Sequence, residues 1–290
     1  MTPGGQAPEP DRIALALRVG VYAFLVVAGM TIFPVVLYWV APVLFVVATL
    51  STFATATVAN AVTLRIWGHG QLSDIGMQWT RASRRNVLLG FAGGAGAALL
   101  AVLLPVAGQL SWIERVPGSS VQWGSLIFVS VLLLFGAVGE EMLFRGFAFQ
   151  FLVGRIGPYA TVLPFGVLFG LMHGNNPNQS WLGLINTVLW GILFGYAFLR
   201  SGDLWLPVGL HFGWNWVLPL FGANLSGYTM GVTGFTTRSN ASLWWTGGNY
   251  GPEGGVFTTV VVVALVFFLR WAPVERQESV LARLPLDDES

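Results

Sequence analysis

Apolar residues run through this chain in blocks of roughly twenty, broken by short stretches of Pro, Gly, Asn and Arg, instead of recurring on one face at helical spacing. Blocks of that length match the hydrocarbon thickness of a bilayer. They fall near residues 13 to 36, 41 to 64, 87 to 107, 124 to 152, 159 to 173, 181 to 199, 204 to 221 and 255 to 271, which predicts eight membrane spans. Only Pro34, Tyr38, Trp39 and Pro42 divide the first two, and a tight Pro-containing turn is expected there in place of one very long helix. The predicted fold is all-α: a polytopic transmembrane helix bundle of about eight spans, with a polar site inside the bundle. Residues 12–273 form the transmembrane domain, residues 1–11 a disordered tail rich in Pro and Gly, and residues 274–290 a polar tail with no assigned function.

Composition agrees. The chain is 54% hydrophobic and 9% charged, with a mean hydropathy of +0.69. The absence of cysteine excludes disulfides, thiolate metal sites and a cysteine nucleophile together. All fourteen basic residues are arginine, which points to a GC-rich bacterial genome. No nucleic-acid footprint or internal repeat is evident, and the first apolar run lacks a small-residue cleavage site after it, so it reads as an uncleaved anchor. With the N-terminus inside, Arg12, Arg18, Arg65, Arg81, Arg84, Arg85, Arg155, Arg200, Arg270, Arg276 and Arg283 fall at the cytoplasmic face, and only Arg115 and Arg238 fall outside. That asymmetry is the one cytoplasmic loops show, and it predicts a multi-pass protein of a bacterial plasma membrane with both termini cytoplasmic. The segment from Gly222 to Gly254 is the longest external connection, and its Trp244, Trp245 and Tyr250 are expected at headgroup level; a substrate-gating lid is the other reading.

Glycines four apart recur within the spans: Gly90 and Gly94, Gly166 and Gly170, Gly191 and Gly195, Gly209 and Gly213. Such spacing lets helix backbones approach closely where lipid gives no hydrophobic drive for association. Two of the pairs lie on the histidine-bearing helices, which are therefore expected to pack tightly into one bundle.

Glu140, Glu141 and Arg145 interrupt the apolar stretch from Trp123 to Val153. A charge near mid-membrane costs roughly 2.5 to 3.5 kcal/mol on insertion scales, so three within six residues call for pairing or for chemistry. Glu141 and Arg145 at i, i+4 lie on one helix face in the order favourable to an ion pair. Glu140 lies about 100° around the helix, without that partner, and is left free to act as a base. His173 closes the fifth run four residues after Phe169; His211 lies in the seventh, with Asn215 one turn later on the same face. His69, in an arginine-rich loop, is expected to be an ordinary exposed histidine. Two chemistries fit these groups. Glu140 with His173 could deprotonate a water while His211 and Asn215 donate to the oxyanion formed at a peptide carbonyl. Alternatively, Glu140, His173 and His211 could hold zinc with water as the fourth ligand, although no His-Glu-x-x-His helix is present. Helix rise places Glu140 and His173 roughly 18 to 21 Å from the cytoplasmic ends but His211 only about 10 Å, a mismatch that a tilted seventh helix or a dipping loop at Gly202 to Pro207 would remove.

Glu140-Glu141-x-x-x-Arg145, Phe169-x-x-x-His173 and His211-x-x-x-Asn215, in that order on three separate spans, resemble the three motifs of the CPBP (Abi) family, which includes the type II CAAX prenyl endopeptidases. The resemblance covers about residues 126 to 221. It implies an intramembrane endopeptidase in which Glu140 and His173 activate water, His211 and Asn215 form the oxyanion hole, and Glu141, Arg145 and Phe169 support the site. It implies no cofactor, with zinc as the alternative, and as partners a membrane-associated protein or peptide substrate and the lipid bilayer. The reading from another class is a non-catalytic immunity or scaffold protein that uses the polar cluster for packing or binding. A proton-coupled transporter is a weaker third, since neither a repeated half nor paired broken helices are found.

Overall fold

The computed structural model describes residues 12–68 and 70–282; the predicted tail 1–11, His69 and residues 283–290 lie outside the described residues. The chain folds as helices α1 (Arg12–Val40), α2 (Leu44–Gly68), α3 (Arg81–Ala107), α4 (Trp123–Arg145), α5 (Phe147–Ile156), α6 (Pro158–Met172), α7 (Trp181–Ser201), α8 (Trp205–Leu220), α9 (Leu243–Thr246) and α10 (Val256–Trp271). Two short strands, β1 (Ser111–Arg115) and β2 (Phe235–Ser239), pair antiparallel from Ser111↔Ser239 to Arg115↔Phe235. Five segments, Arg12–Val40, Leu44–Trp67, Arg81–Ala107, Trp123–Ile156 and Trp181–Ser201, are long and apolar enough to cross a membrane; Pro158–Met172 and Val256–Trp271 are shorter apolar helices. The architecture is the expected all-α bundle of a membrane protein, to which the sequence reading had added no strands.

Connections between helices sort onto two faces, as alternate crossings require. On the face where α1 begins and α10 ends, Leu204 donates from its amide to Gly76 at 3.1 Å and Gln277 to Ser201 at 2.7 Å. Residues 274–282 lie against the helix ends there, with Ser279 bonded to Gln150 of α5 and Gln277 to Asp203. Asp203 and Leu204 are fully buried under this cover, so α8 starts below the surface of that face. This is the dipping connection that removes the mismatch in depth between His211 and Glu140. On the opposite face, β1 and β2 pair, Gln122 donates to Val232, and Gly227 donates to Tyr250.

The glycine pairs explain which helices touch. A Cβ on Gly90 would lie 2.3 Å from the Leu206 carbonyl oxygen and one on Gly94 2.0 Å from that of Leu210; reciprocally, a Cβ on Gly209 or Gly213 would meet the Val87 or Phe91 carbonyl at 2.3 or 2.5 Å. Thus α3 and α8 meet backbone to backbone. Gly166 and Gly170 do the same for α6 against α7 at Ile192 and Val188. The two histidine-bearing helices are therefore each zipped to a different neighbour within the bundle, α8 to α3 and α6 to α7. Gly94→Ala should lower thermal stability: the methyl gains about 1 kcal/mol of helix propensity, but at this separation the backbones must part, an overpacking loss of roughly 1 to 3 kcal/mol. Because His211 rides on α8, activity should fall further than stability, and equal losses in a melting scan and a turnover assay would argue against that coupling.

The fourth predicted span does not run as one helix. It breaks at Gly146, between α4 and α5. Asn60 of α2 mends the break: its amide donates to the Met142 carbonyl at 2.9 Å and its carbonyl oxygen accepts the Phe147 amide at 2.7 Å. A Cβ at residue 146 would sit 2.3 Å from that oxygen, so only glycine admits the mending side chain. In hydrocarbon, a freed backbone amide needs such a partner.

Candidate active site

Glu141 and Arg145 are wholly buried, one turn apart on α4, with guanidinium to carboxylate at 3.2 Å. Arg145 also donates to the Gly191 carbonyl on α7 at 2.6 Å, and its guanidinium lies over the rings of Phe144, Phe169 and Phe194 at 5.7, 4.9 and 5.3 Å. Phe169 therefore has a physical task, since a ring face stabilises a desolvated cation. The expected ion pair is present, but it is not the whole of Glu141's engagement. His211 Nδ1 lies 2.9 Å from Glu141 Oε1, across 70 residues of sequence. Glu141 is thus shared between Arg145 and His211, and the imidazole is further held by stacking on Phe194 at 4.9 Å.

Glu140 takes the other side of the helix, as the 100° rotation requires. Its Oε2 lies 3.8 Å from His173 Nε2 and 3.9 Å from His211 Nε2 and has no hydrogen-bond partner among the described residues. His173 caps the C-terminus of α6, and its Nδ1 lies 2.8 Å from the Phe169 carbonyl oxygen, which can only accept, so Nδ1 carries a proton. The same logic puts a proton on Nδ1 of His211, opposite a carboxylate. Both imidazoles then turn Nε2 toward Glu140. Separations of 3.8 and 3.9 Å exceed a direct hydrogen bond but suit one water bonded to two of these groups. Asn215 lines the same space one turn beyond His211.

These side chains open into a cavity of about 250 Å³ whose walls include Trp190 and Trp214. The Trp190 indole nitrogen is buried without a hydrogen-bond partner among the described residues. The long connection after α8 roofs the cavity through Ser226, Tyr228 and Glu253. Glu253 is buried, accepts the Trp214 indole N–H at 3.1 Å, and accepts the Ser226 hydroxyl at 2.9 Å together with the Ser226 amide. Trp244 and Trp245 are exposed as headgroup anchors would be, but Tyr250 is not: it is buried, and its hydroxyl accepts from Gln179 at 3.1 Å. The connection is therefore part of the cavity wall as well as a surface anchor.

Burial pushes the carboxyl of Glu253 above its ordinary range, and burial does the same to Asp203. Both groups lie in connections outside the helices. The folded state then binds these protons more tightly than the unfolded chain, so the stabilisation is present below the ordinary carboxyl range and is lost as pH rises through the folded values. The thermal midpoint in detergent should be higher near about pH 5 than near about pH 8, and a midpoint that climbs across that interval would contradict the assignment. Neither residue was picked out from sequence. The available signal was a lone acid between two apolar runs, Asp203 after Gly202 and Glu253 between Pro252 and Gly254.

Glu140 stands slightly farther from His173 and from His211 than tetrahedral coordination of one zinc would place it. The carboxylate-to-imidazole separations are 3.8 and 3.9 Å, against the edge of about 3.4 Å that tetrahedral ligands at zinc bond lengths would give. Among the described residues no three His, Asp or Glu side chains are grouped to hold a metal.

The structure brings together all seven residues singled out in the sequence: Glu140, Phe169, His173, His211 and Asn215 around the cavity, and Glu141 and Arg145 beneath it. No curated protein and no solved structure matches the chain. Residues 122–217, which carry all seven, match the family model described as Type II CAAX prenyl endopeptidase Rce1-like, a likeness that supports a membrane hydrolase of the CAAX-protease kind.

Proposed function

We propose that the chain is an intramembrane endopeptidase that hydrolyses a peptide bond in a membrane-associated protein or peptide by a metal-free route. The observation that carries this reading is the unpartnered Glu140 carboxylate facing two Nε2 atoms across gaps of one water's width. A water seated there would donate one hydrogen to Glu140 and the other to His173 Nε2, leaving an oxygen lone pair for the substrate carbonyl. Attack forms the C–O bond and moves the carbonyl π electrons onto oxygen, while Glu140 takes the proton. The oxyanion would receive hydrogen bonds from Asn215 Nδ2 and from His211 Nε2. Because Nδ1 of His211 already donates to Glu141, donation from Nε2 as well requires the imidazolium. The oxyanion role is therefore tied to the charge of Glu141. Collapse of the tetrahedral intermediate returns the proton from Glu140 to the leaving amine, breaks the C–N bond and releases the amine and a carboxylic acid, which gives up its remaining proton to solvent.

The test is a comparison of membrane and secreted proteomes from cells carrying the wild-type chain and Glu140→Gln. An uncleaved polypeptide should accumulate in the variant, with its shortened product present only beside the wild type. Identical proteomes under conditions where both are expressed would count against proteolysis. One observation favours zinc as a second reading: the carboxylate and the backbone carbonyl behind the two imidazoles are partners that zinc-bound histidines commonly have. The metal-free reading predicts substoichiometric zinc in the purified protein and activity that survives strong chelators. One zinc per chain, lost with activity and restored with it, would overturn that reading.

A further inference from the structure

The cavity lies mainly toward the start of α4 from the buried pair Glu141 and Arg145. From that helix it takes Leu132, Leu133, Gly136 and Glu140 and, at the level of the pair, Leu143 and Phe144; from α6 it takes Phe169, Met172 and His173, toward the far end. Its roof is the connection that pairs with the other loops of the face opposite the start of α1 and the end of α10. Among the described residues, none from 71–80, 147–158, 202–204 or 272–282, which build the face carrying the start of α1 and the end of α10, lines it. Between the cavity and that face stand Glu141, Arg145, Leu206 and Leu210, all fully buried. Sideways, Met30, Thr49 and Thr52 of α1 and α2 continue the cavity toward lipid. The chamber thus has a sealed floor and opens at the opposite end.

Arginine placement gives these faces their sides. Arg12, Arg81, Arg155, Arg200 and Arg270 all sit at helix ends on the sealed face. The opposite face holds Arg115 and Arg238, the first bonded to the Ser119 carbonyl and the second paired with Glu114. The bias of Arg toward cytoplasmic connections makes the sealed face cytoplasmic. We infer that the chamber is served from the non-cytoplasmic side of the membrane, so that its substrate is a polypeptide segment presented there, a translocated stretch or one lying in the outer leaflet, and not a cytoplasmic tail. The word substrate rests on the endopeptidase reading; the sidedness of the chamber does not.

The absence of cysteine makes the test direct. Single cysteines are placed at Asn175, exposed in the connection after α6, at Asn176, which lines the chamber, and at Ser73, exposed on the sealed face. Intact cells expressing each full-length variant are treated with a charged, membrane-impermeant maleimide, and a second sample is treated after permeabilisation. Asn175→Cys and Asn176→Cys should react in intact cells at least about tenfold faster than Ser73→Cys, because the charged reagent does not cross hydrocarbon. Ser73→Cys should react only once the cells are opened. Labelling at Ser73 in intact cells, or protection of Asn175 there, would overturn the assigned sides. Labelling at Asn175 with Asn176 protected in intact cells but reactive after permeabilisation would overturn the direction of opening. Repeating the series with Glu140→Gln should leave the pattern unchanged, so a failure of the proteolytic reading would be seen separately.

Discussion

Glu140→Gln should lower the proposed peptide-bond hydrolysis by roughly a hundred- to ten-thousand-fold, the span ascribed to a positioned general base, while the melting temperature in detergent should stay close to that of the wild type. Two features set this expectation. Glu140 is partly exposed to the cavity and makes no hydrogen bond among the described residues, with its nearest basic groups at 3.8 and 3.9 Å, so an amide of equal size fits without breaking a protein contact. What the amide lacks is a proton-accepting carboxylate. Purified variant and wild type should be compared on the substrate that the proteome comparison identifies, with melting followed in parallel. Turnover near the wild-type rate would remove Glu140 from the chemistry, whereas lost activity with collapsed stability would leave the base role without support.

Arg145→Ala should cost about 3 to 5 kcal/mol of stability, because it strands the wholly buried carboxylate of Glu141. The double variant Glu141→Gln with Arg145→Met removes both charges and keeps the volume of the buried side chain. It should recover much of the loss, as exchange of a buried ion pair for packed apolar groups often does. Recovery stays incomplete, since Gly191 loses its donor and three aromatic rings lose their cation. Activity should not return, because Gln at 141 no longer gives His211 Nδ1 a charged acceptor at 2.9 Å. Thermal melts of Glu141→Gln, Arg145→Met and the double variant form a cycle. Additive losses would mean that the two residues are not coupled.

Features set by local spacing could be read from the sequence, and those set by distant contacts could not. Span positions followed from run length, and the glycine pairs were visible as four-residue repeats. Helix rotation alone separated Glu140 from the face shared by Glu141 and Arg145. By contrast, an apolar run with one glycine in it does not announce a break; the break at Gly146 depends on Asn60, 87 residues before Phe147. The second partner of Glu141 lies 70 residues away, and Glu253 reaches Trp214 across 39. A period-based reading assigns a carboxylate to the partner one turn along and has no means of adding a second. It paired the right helices with glycine contacts but could not say which pair joined which.

The shared carboxylate of Glu141 bears on how such a chain can diverge. Changing Arg145 first leaves an unpaired anion, changing Glu141 first leaves an unpaired cation among phenyl rings, and either change also releases the imidazole of His211. Each single step therefore descends in fitness even where a well-packed apolar end point exists. Descendants with new specificities are expected to vary the roof residues around Tyr228 and the lateral wall at Thr49 and Thr52, and to inherit Glu141, Arg145 and His211 intact.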